Sequence, residues 1–400
     1  MTFPLLKAYN PEHVRNRLVR QQAERWQREG LLKPEQLAAV RQAYPVSFRE
    51  NNIFSEIGAF IFTGIAVGGA YALLMLFLSG LVDQANAFGV FNTVVGVGML
   101  LLAHGLIGRY HFYRSGPDNA LVVMGAAFLL AAFNVVLPGE IPFWLRCLLA
   151  VPLLLGFVWY YGDVILMFIA ILAFYGAIFS GLLEFPWGRL ALPFVLMAVS
   201  ALVWFGLSRL KRVVPNPDYY ADAFGIADWV SLGVLAASGN YFVVRELNGL
   251  LADPVPGVYG NAEAPPIRFG LLFWFLTFFF PGLYGWLGIR QKNRLLIILG
   301  ILGIAAAVST VRYYYPVGPL SVYLTIVGFG MIAVAVWLIR YLRQPRRGFT
   351  DVPDEESPRQ FFLNAETLSL ISTTGATLDR QPDLRYGGGD FGGGGAGKNY

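Results

Sequence analysis

The residues most able to do chemistry in this sequence are polar groups set inside long apolar stretches. Asp228 lies six positions beyond Asp222. At ~1.5 Å per residue that is about 9 Å further along a helix, about one turn into an apolar run. A carboxylate at that depth either holds a proton or cation, or is paired within the protein. Asn240 closes the stretch Ala236-Ala237-Ser238-Gly239-Asn240 toward the other end of the same run. Its small neighbours allow helices to approach closely, and an amide there can bridge them. Pro281 interrupts another run as Phe280-Pro281-Gly282. Proline frees a carbonyl, giving either a simple kink or a broken helix of the kind that binds substrates at the membrane midplane. Asp228, Asn240 and Pro281 therefore form a candidate intramembrane polar site.

A second set gathers at the ends of apolar runs. Arg146, Glu184, Arg189 and Arg245, with Glu246 and Arg312 beside them, all fall on the side where arginine is otherwise sparse. Such arginines either snorkel and pair with glutamate or recognise phosphate or carboxylate on a lipid or small anion. Arg146, Arg189, Arg245 and Glu184 are the candidate outer-face anion site. The connector 248–266, with Pro254, Pro256, Pro265 and Pro266, could cover it. No H-E-x-x-H, G-x-S-x-G, phosphate-binding loop or EF-hand loop occurs. The spacing of His104 and His111 suggests no metal site. Cys147 is the single cysteine, which excludes an intrachain disulfide and any site needing two thiolates from this chain. No catalytic residue, cofactor or metal is expected.

The elements that must position these residues are membrane spans. The chain has 400 residues, 56% hydrophobic and 14% charged, with a mean hydropathy of +0.55; a soluble domain carries roughly 25% charged residues. Residues 53–340 hold only 14 Lys/Arg and 12 Asp/Glu, so the chain is an apolar body with two polar ends. A helix crosses the hydrocarbon in roughly 20 apolar residues. Ten such runs are expected: 56–80, 88–108, 120–137, 143–161, 163–183, 190–208, 224–245, 269–289, 295–313 and 320–341. Only Gly162 stands between the fourth and fifth, which predicts a tight helical hairpin with Asp163 as the cap of its second arm. The fold class expected is all-α, a polytopic bundle. With the N-terminus inside, twelve Lys/Arg flank the spans on the inner side and five on the outer, and nine more lie in residues 1–52. This bias predicts both termini in the cytoplasm and a plasma (inner) membrane location. It also accounts for the net charge of +5 without nucleic acid. No cleavable signal peptide is expected, because the first fifty residues have no apolar core segment.

Residues 1–52 read as a cytoplasmic helical hairpin. Asn10 caps a first helix opened by Pro11 and ended by Gly30, and Pro34 opens a second. Val14, Leu18 and Trp26 share one face of the first; Leu37, Val40 and Tyr44 share a stripe of the second. About 35 residues are too few for an independent core, so the hairpin is expected to pack on the membrane domain, the lipid surface or a partner. Residues 342–400 read as a flexible cytoplasmic tail, with an acidic patch at Asp351, Asp354, Glu355 and Glu356. Eight of the eleven positions 387–397 are Gly, which disfavours a fixed fold. Phe391 and Tyr400 could bind a partner there, and residues 361–370 could form a short ordered element.

The pattern Trp26-Gln27-Arg28-Glu29-Gly30-Leu31-Leu32-Lys33-Pro34-Glu35-Gln36, followed by many spans, resembles the bacterial membrane protein family called domain of unknown function 2157. The likeness covers residues 20–45 and, beyond them, general layout. It implies a short cytoplasmic helical segment ahead of a polytopic membrane region and supplies no catalytic residues. The function expected is that of a non-enzymatic membrane component, an envelope scaffold or sensor. Its partners would be the bilayer and possible proteins at the hairpin or tail. A transporter or flippase for a small anionic or lipid-linked substrate is the alternative.

Overall fold

The computed structural model describes residues 7–48, 53–80, 84–251, 267–315 and 319–343. Every regular element among them is a helix. A short pair, α1 (Pro11–Arg28) and α2 (Pro34–Ala43), precedes ten helices of 19 to 26 residues that are long and apolar enough to cross a membrane. These are α3 (Ile53–Leu78), α4 (Ala85–Tyr110), α5 (Pro117–Val136), α6 (Phe143–Tyr161), α7 (Val164–Leu183), α8 (Gly188–Val213), α9 (Ala221–Gly239), α11 (Gly270–Gln291), α12 (Arg294–Tyr314) and α13 (Leu320–Leu342). A 3-10 turn, Pro217–Tyr220, leads into α9, and a ten-residue helix, α10 (Tyr241–Leu250), follows it. The protein is thus an all-α, multi-pass membrane bundle.

Hairpin neighbours pack most closely: α4 on α5, α6 on α7, α8 on α9 and α11 on α12. Lipid supplies no hydrophobic force between helices, so contact depends on how near the backbones come. Gly96 and Gly125 face each other across α4 and α5; a Cβ on Gly96 would stand 2.9 Å from the Gly125 carbonyl oxygen. On α12, a Cβ at Gly303 would meet the Pro281 ring at 2.7 Å, and one at Gly300 would meet the Gly285 backbone at 2.9 Å. Helix α9 is the hub of the bundle, packed by α7, α8, α11 and α12. One apolar cluster joins α4 to α9 with Tyr9 and Val14 of the N-terminal segment. Smaller clusters around Tyr284 and Phe273 join α9 and α10 to α11 and α12. Helices α3 and α13 turn large apolar side chains outward, with Phe62 73% and Phe329 75% exposed, as lipid-facing helices do.

Three expectations are corrected. The seventh span does not run to residue 245; it stops at Gly239. Asn240 is extended (φ −79°, ψ 126°) and turns its side chain to cap α10, as a short amide does when it competes with the helix for backbone donors. The sixth span does not stop at 208 but continues to Val213, so Arg209, Lys211 and Arg212 ride on its last turns. In α1, Leu18 and Trp26 do not share the buried face with Val14: they are 41% and 44% exposed, and Asn16 and Ala23 are buried instead. Asn16 donates to the Pro45 carbonyl at 3.0 Å, which seats the chain leaving α2 against α1. The tail calls at Asp351–Glu356, 361–370, Phe391 and Tyr400, and the prolines of the 248–266 connector, lie outside the described residues.

Candidate functional site

The densest polar site lies where the N-terminal segment meets one end of the bundle. Its cause is the tightness of the α6–α7 turn. Gly162, in the left-handed region at φ +64°, ends α6, and Asp163 already caps α7 through two 2.9 Å bonds from the Ile165 and Leu166 amides. A two-residue turn cannot supply donors for the last carbonyls of α6, which every helix leaves orphaned. Other segments do so. The Ala8 amide donates to the Tyr160 carbonyl at 3.0 Å. Tyr219 Oη donates to the same oxygen at 2.6 Å, and Tyr220 Oη to the Trp159 carbonyl at 2.9 Å. Lys7 Nζ also donates to the Trp159 carbonyl, at 2.6 Å, and lies 3.8 Å from the Trp159 ring centroid. Arg114 Nη2 takes the Gly162 carbonyl. Two cations thus sit at a helix C-terminus, where the helix dipole favours them.

Arg114 is held there by an unusual connector. His111 ends α4 at φ +53°, Arg114 is at φ +50°, and Gly116 is at φ +109°. A Cβ on Gly116 would strike the Glu56 carbonyl of α3 and stand 2.9 Å from the Phe60 amide, so only glycine lets α3 approach. Asp118, in the first turn of α5, reaches back to the amides of Arg114 and Ser115 at 2.8 Å each. Its Oδ2 also accepts from Tyr9 Oη at 3.0 Å. Arg114 Nη1 pairs with Asp222 of α9. One arginine and one aspartate therefore join the N-terminal segment, the α4–α5 connector, the α6–α7 turn and the start of α9.

Burial works against charge on Arg114, but Asp222 and Asp163 outweigh it and hold the guanidinium above its ordinary pKa. Burial, with Asp118 alongside, keeps Tyr9 protonated well above the usual phenol range, as a donor must be. Burial raises Asp163, opposed by its two amide bonds and Arg114. Burial pushes Lys7 down to about 8. Chemically this constellation is a clamp.

The residues singled out from the sequence are placed apart from it. Asp228 Oδ2 pairs with Lys211 of α8; Oδ1 is buried with no hydrogen-bond partner among the described residues. Asn240 Oδ1 accepts from the Phe242 and Val243 amides at 3.0 and 3.2 Å, and from Thr310 Oγ1 of α12 at 3.3 Å. Helix α11 is continuous through Pro281, whose ring lies against Gly303. Asp228, in the N-terminal half of α9, and Asn240, just past its C-terminal end, are not brought together. Arg146 wraps the α5–α6 turn, donating to the carbonyls of Ile141 at 3.0 Å, Pro138 at 2.9 Å, Gly139 at 3.3 Å and Asn134 at 3.4 Å. Arg245 lies 4.7 Å from the Tyr314 ring, and Tyr314 Oη donates to Glu246 at 2.8 Å. Glu184 caps the end of α7 and is exposed. Of these four, Arg189 lines a cavity of about 400 Å³ among α8, α9, α10 and α11.

Comparison with family models, with curated proteins and with solved structures found no match. The clamp itself was missed from sequence. Arg114 is one of the twelve basic residues on the inner flanks, Asp222 enters only as a marker for the depth of Asp228, and Asp118 and Tyr9 are not singled out. One signal was available: Ser115-Gly116-Pro117-Asp118 is a serine followed three residues later by an acid, ahead of an apolar run, a pattern that marks an acid turning back to bond preceding amides.

Proposed function

We propose that this protein is a non-enzymatic multi-pass membrane component, a scaffold or sensor whose working part is the α1–α2 hairpin. One observation carries the proposal: the segment leading into the hairpin is tied by Tyr9 to Asp118 beside the α4–α5 connector, whose Arg114 in turn holds the α6–α7 turn and the start of α9, three separate parts of the bundle. A rearrangement of the spans is thereby transmitted to the hairpin. The hairpin also keeps Leu18, Trp26 and Leu31 exposed, Leu31 by 68%, which leaves apolar side chains for a protein partner. Asp228 is paired through Oδ2 with Lys211 and Asn240 is committed to a helix cap, which favours the scaffold over a transport path. The Lys/Arg bias supports placing the clamp end in the cytoplasm. The resemblance of residues 20–45 supports a bacterial inner membrane and membership of the family named above.

The test uses the full chain in two assays. A photo-crosslinking amino acid at Trp26 or Leu31 in native membranes is expected to trap one defined protein, and the same probe at exposed Arg41 is not. Reconstituted vesicles are expected to show no proton or cation flux. A flux that Asp228→Asn abolishes would instead establish transport and overturn the proposal.

A further inference from the structure

At the end of the bundle opposite the clamp, two apolar hollows lie side by side. The first, about 400 Å³, has a floor of Leu192, Pro193, Val244 and Phe273, all buried in the fold. The second, about 370 Å³, lies between Trp187, Val195 and Phe269. Leu190 and Phe194 border both and form the partition between them. Ligand sites are typically about 300–1,000 Å³, mostly apolar, with a few polar groups that orient the ligand. Here those groups are Arg189 and Arg268, exposed at the rim of the first hollow. The rim stands at a membrane-interface depth: it is formed by the start of α8, α10 and the start of α11, next to the stacked, half-exposed Phe185 and Trp187 rings.

Two adjoining hollows, the first with a cationic rim, match one chemical shape. We propose that this face binds an anionic diacyl phospholipid of the adjacent leaflet, one acyl chain on each side of the Leu190–Phe194 partition and the headgroup phosphate on Arg189 and Arg268. Guanidinium groups suit phosphate because their planar fork donates two parallel hydrogen bonds. The apolar floor gives the chains a surface that a hydrated anion would not use. This site is independent of the clamp and of the role proposed for the hairpin.

The test titrates purified, delipidated full-length protein in neutral detergent with pyrene-labelled phosphatidylglycerol, read by energy transfer from tryptophan. Unlabelled phosphatidylglycerol should displace the probe at roughly tenfold lower concentration than phosphatidylcholine, since the choline cation of the latter is repelled by the two guanidinium groups that its phosphate attracts. Lyso-phosphatidylglycerol, with one chain, should displace it more weakly than the diacyl lipid. Arg189→Gln and Arg268→Gln should each weaken phosphatidylglycerol more than phosphatidylcholine, so that the preference between the two headgroups shrinks. Ala237→Phe, which fills the first hollow, should weaken both. The arginines are replaced singly so that loss of fold in a double variant leaves the comparison intact. Equal displacement by the two headgroups, full competition by the one-chain lipid or by inorganic phosphate, or unchanged affinity in the arginine variants would overturn the proposal.

Discussion

Replacing Arg114 by Met removes the clamp's centre while keeping its bulk. The Arg114 side chain is 14% exposed and its partner Asp222 48%. A pair with so exposed a partner contributes only about 0–1 kcal/mol. The bond to the Gly162 carbonyl is worth more, because a charged donor is lost and an acceptor at a buried turn is left bare: about 1.5–3 kcal/mol. Asp163 and Asp118, 2% and 0% exposed, lose the cation that offsets their burial. Since Arg114 makes no side-chain hydrogen bond to either, that loss stays below the roughly 3–5 kcal/mol of a broken buried pair. The expected cost is about 3 kcal/mol, a fall of about 3–4 °C in Tm for a chain of 400 residues at ~2.1 cal/mol/K of unfolding entropy per residue. Arg114→Lys should recover about half, because an ammonium keeps the charge but not the fork that reaches Asp222 and Gly162 together. Cys147, the single cysteine and only partly buried on α6, provides the assay: a fluorogenic maleimide reports its exposure as the protein is heated in detergent. Arg114→Met melting within about 1 °C of wild type (under about 1 kcal/mol) would refute the clamp.

Three further outcomes are expected. Gly116→Ala should destabilise by about 2 kcal/mol or more, because it adds a strained φ to a collision with the α3 backbone; the same thermal assay checks it, and a neutral result would mean α3 does not approach there. Lys7 should make docking of the N-terminal segment depend on pH. Its folded pKa of about 8 lies below the unfolded 10.5, so the unfolded chain binds more protons between those values and stability rises with pH across that window. Proteolysis of the α1–α2 hairpin should therefore slow from pH 7.5 to 10, Lys7→Met should flatten the trend, and an unchanged slope in that variant would reassign it. Lys211→Met should cost about 3 kcal/mol by stranding Asp228, whereas Lys211→Met with Asp228→Leu should cost little; strictly additive losses in a double-mutant cycle would show that the pair is not coupled.

The spans were legible because lipid imposes one rule, about 20 apolar residues per crossing, and the runs obey it. The α6–α7 hairpin was legible from Gly162 and Asp163, since a left-handed cap and an N-cap are local requirements. The hairpin fold of the N-terminal segment followed in the same way from Asn10, Pro11, Gly30 and Pro34. The break at Asn240 was hidden because Ala-Ser-Gly-Asn followed by Tyr-Phe-Val-Val is apolar on both sides, and only the packing of Phe280 against Gly239 and the capping by Asn240 show where the helix ends. The clamp was hidden for a different reason. Tyr9 and Asp118 are 109 residues apart, and Arg114 and Asp222 are 108 apart. Such pairings follow from the order in which helices assemble, and no local spacing encodes it. Arg146 shows the same limit: its type suggested anion recognition, while its guanidinium is engaged by four carbonyls of its own turn.

The central claim is that ten helices cross the bilayer in alternation, with the N-terminal segment, the Arg114 connector and the Gly162 turn at one face. Single cysteines in a Cys147→Ser background, probed in sealed right-side-out vesicles with a membrane-impermeant maleimide, test it directly. Positions Ser47, His111, Asn216 and Lys292 are expected to be protected together, and Gly80, Gly139, Pro186, Leu250 and Tyr315 to be labelled together. Labelling of His111 from the same side as Gly139, or of Ser47 from the side opposite Asn216, would contradict the account.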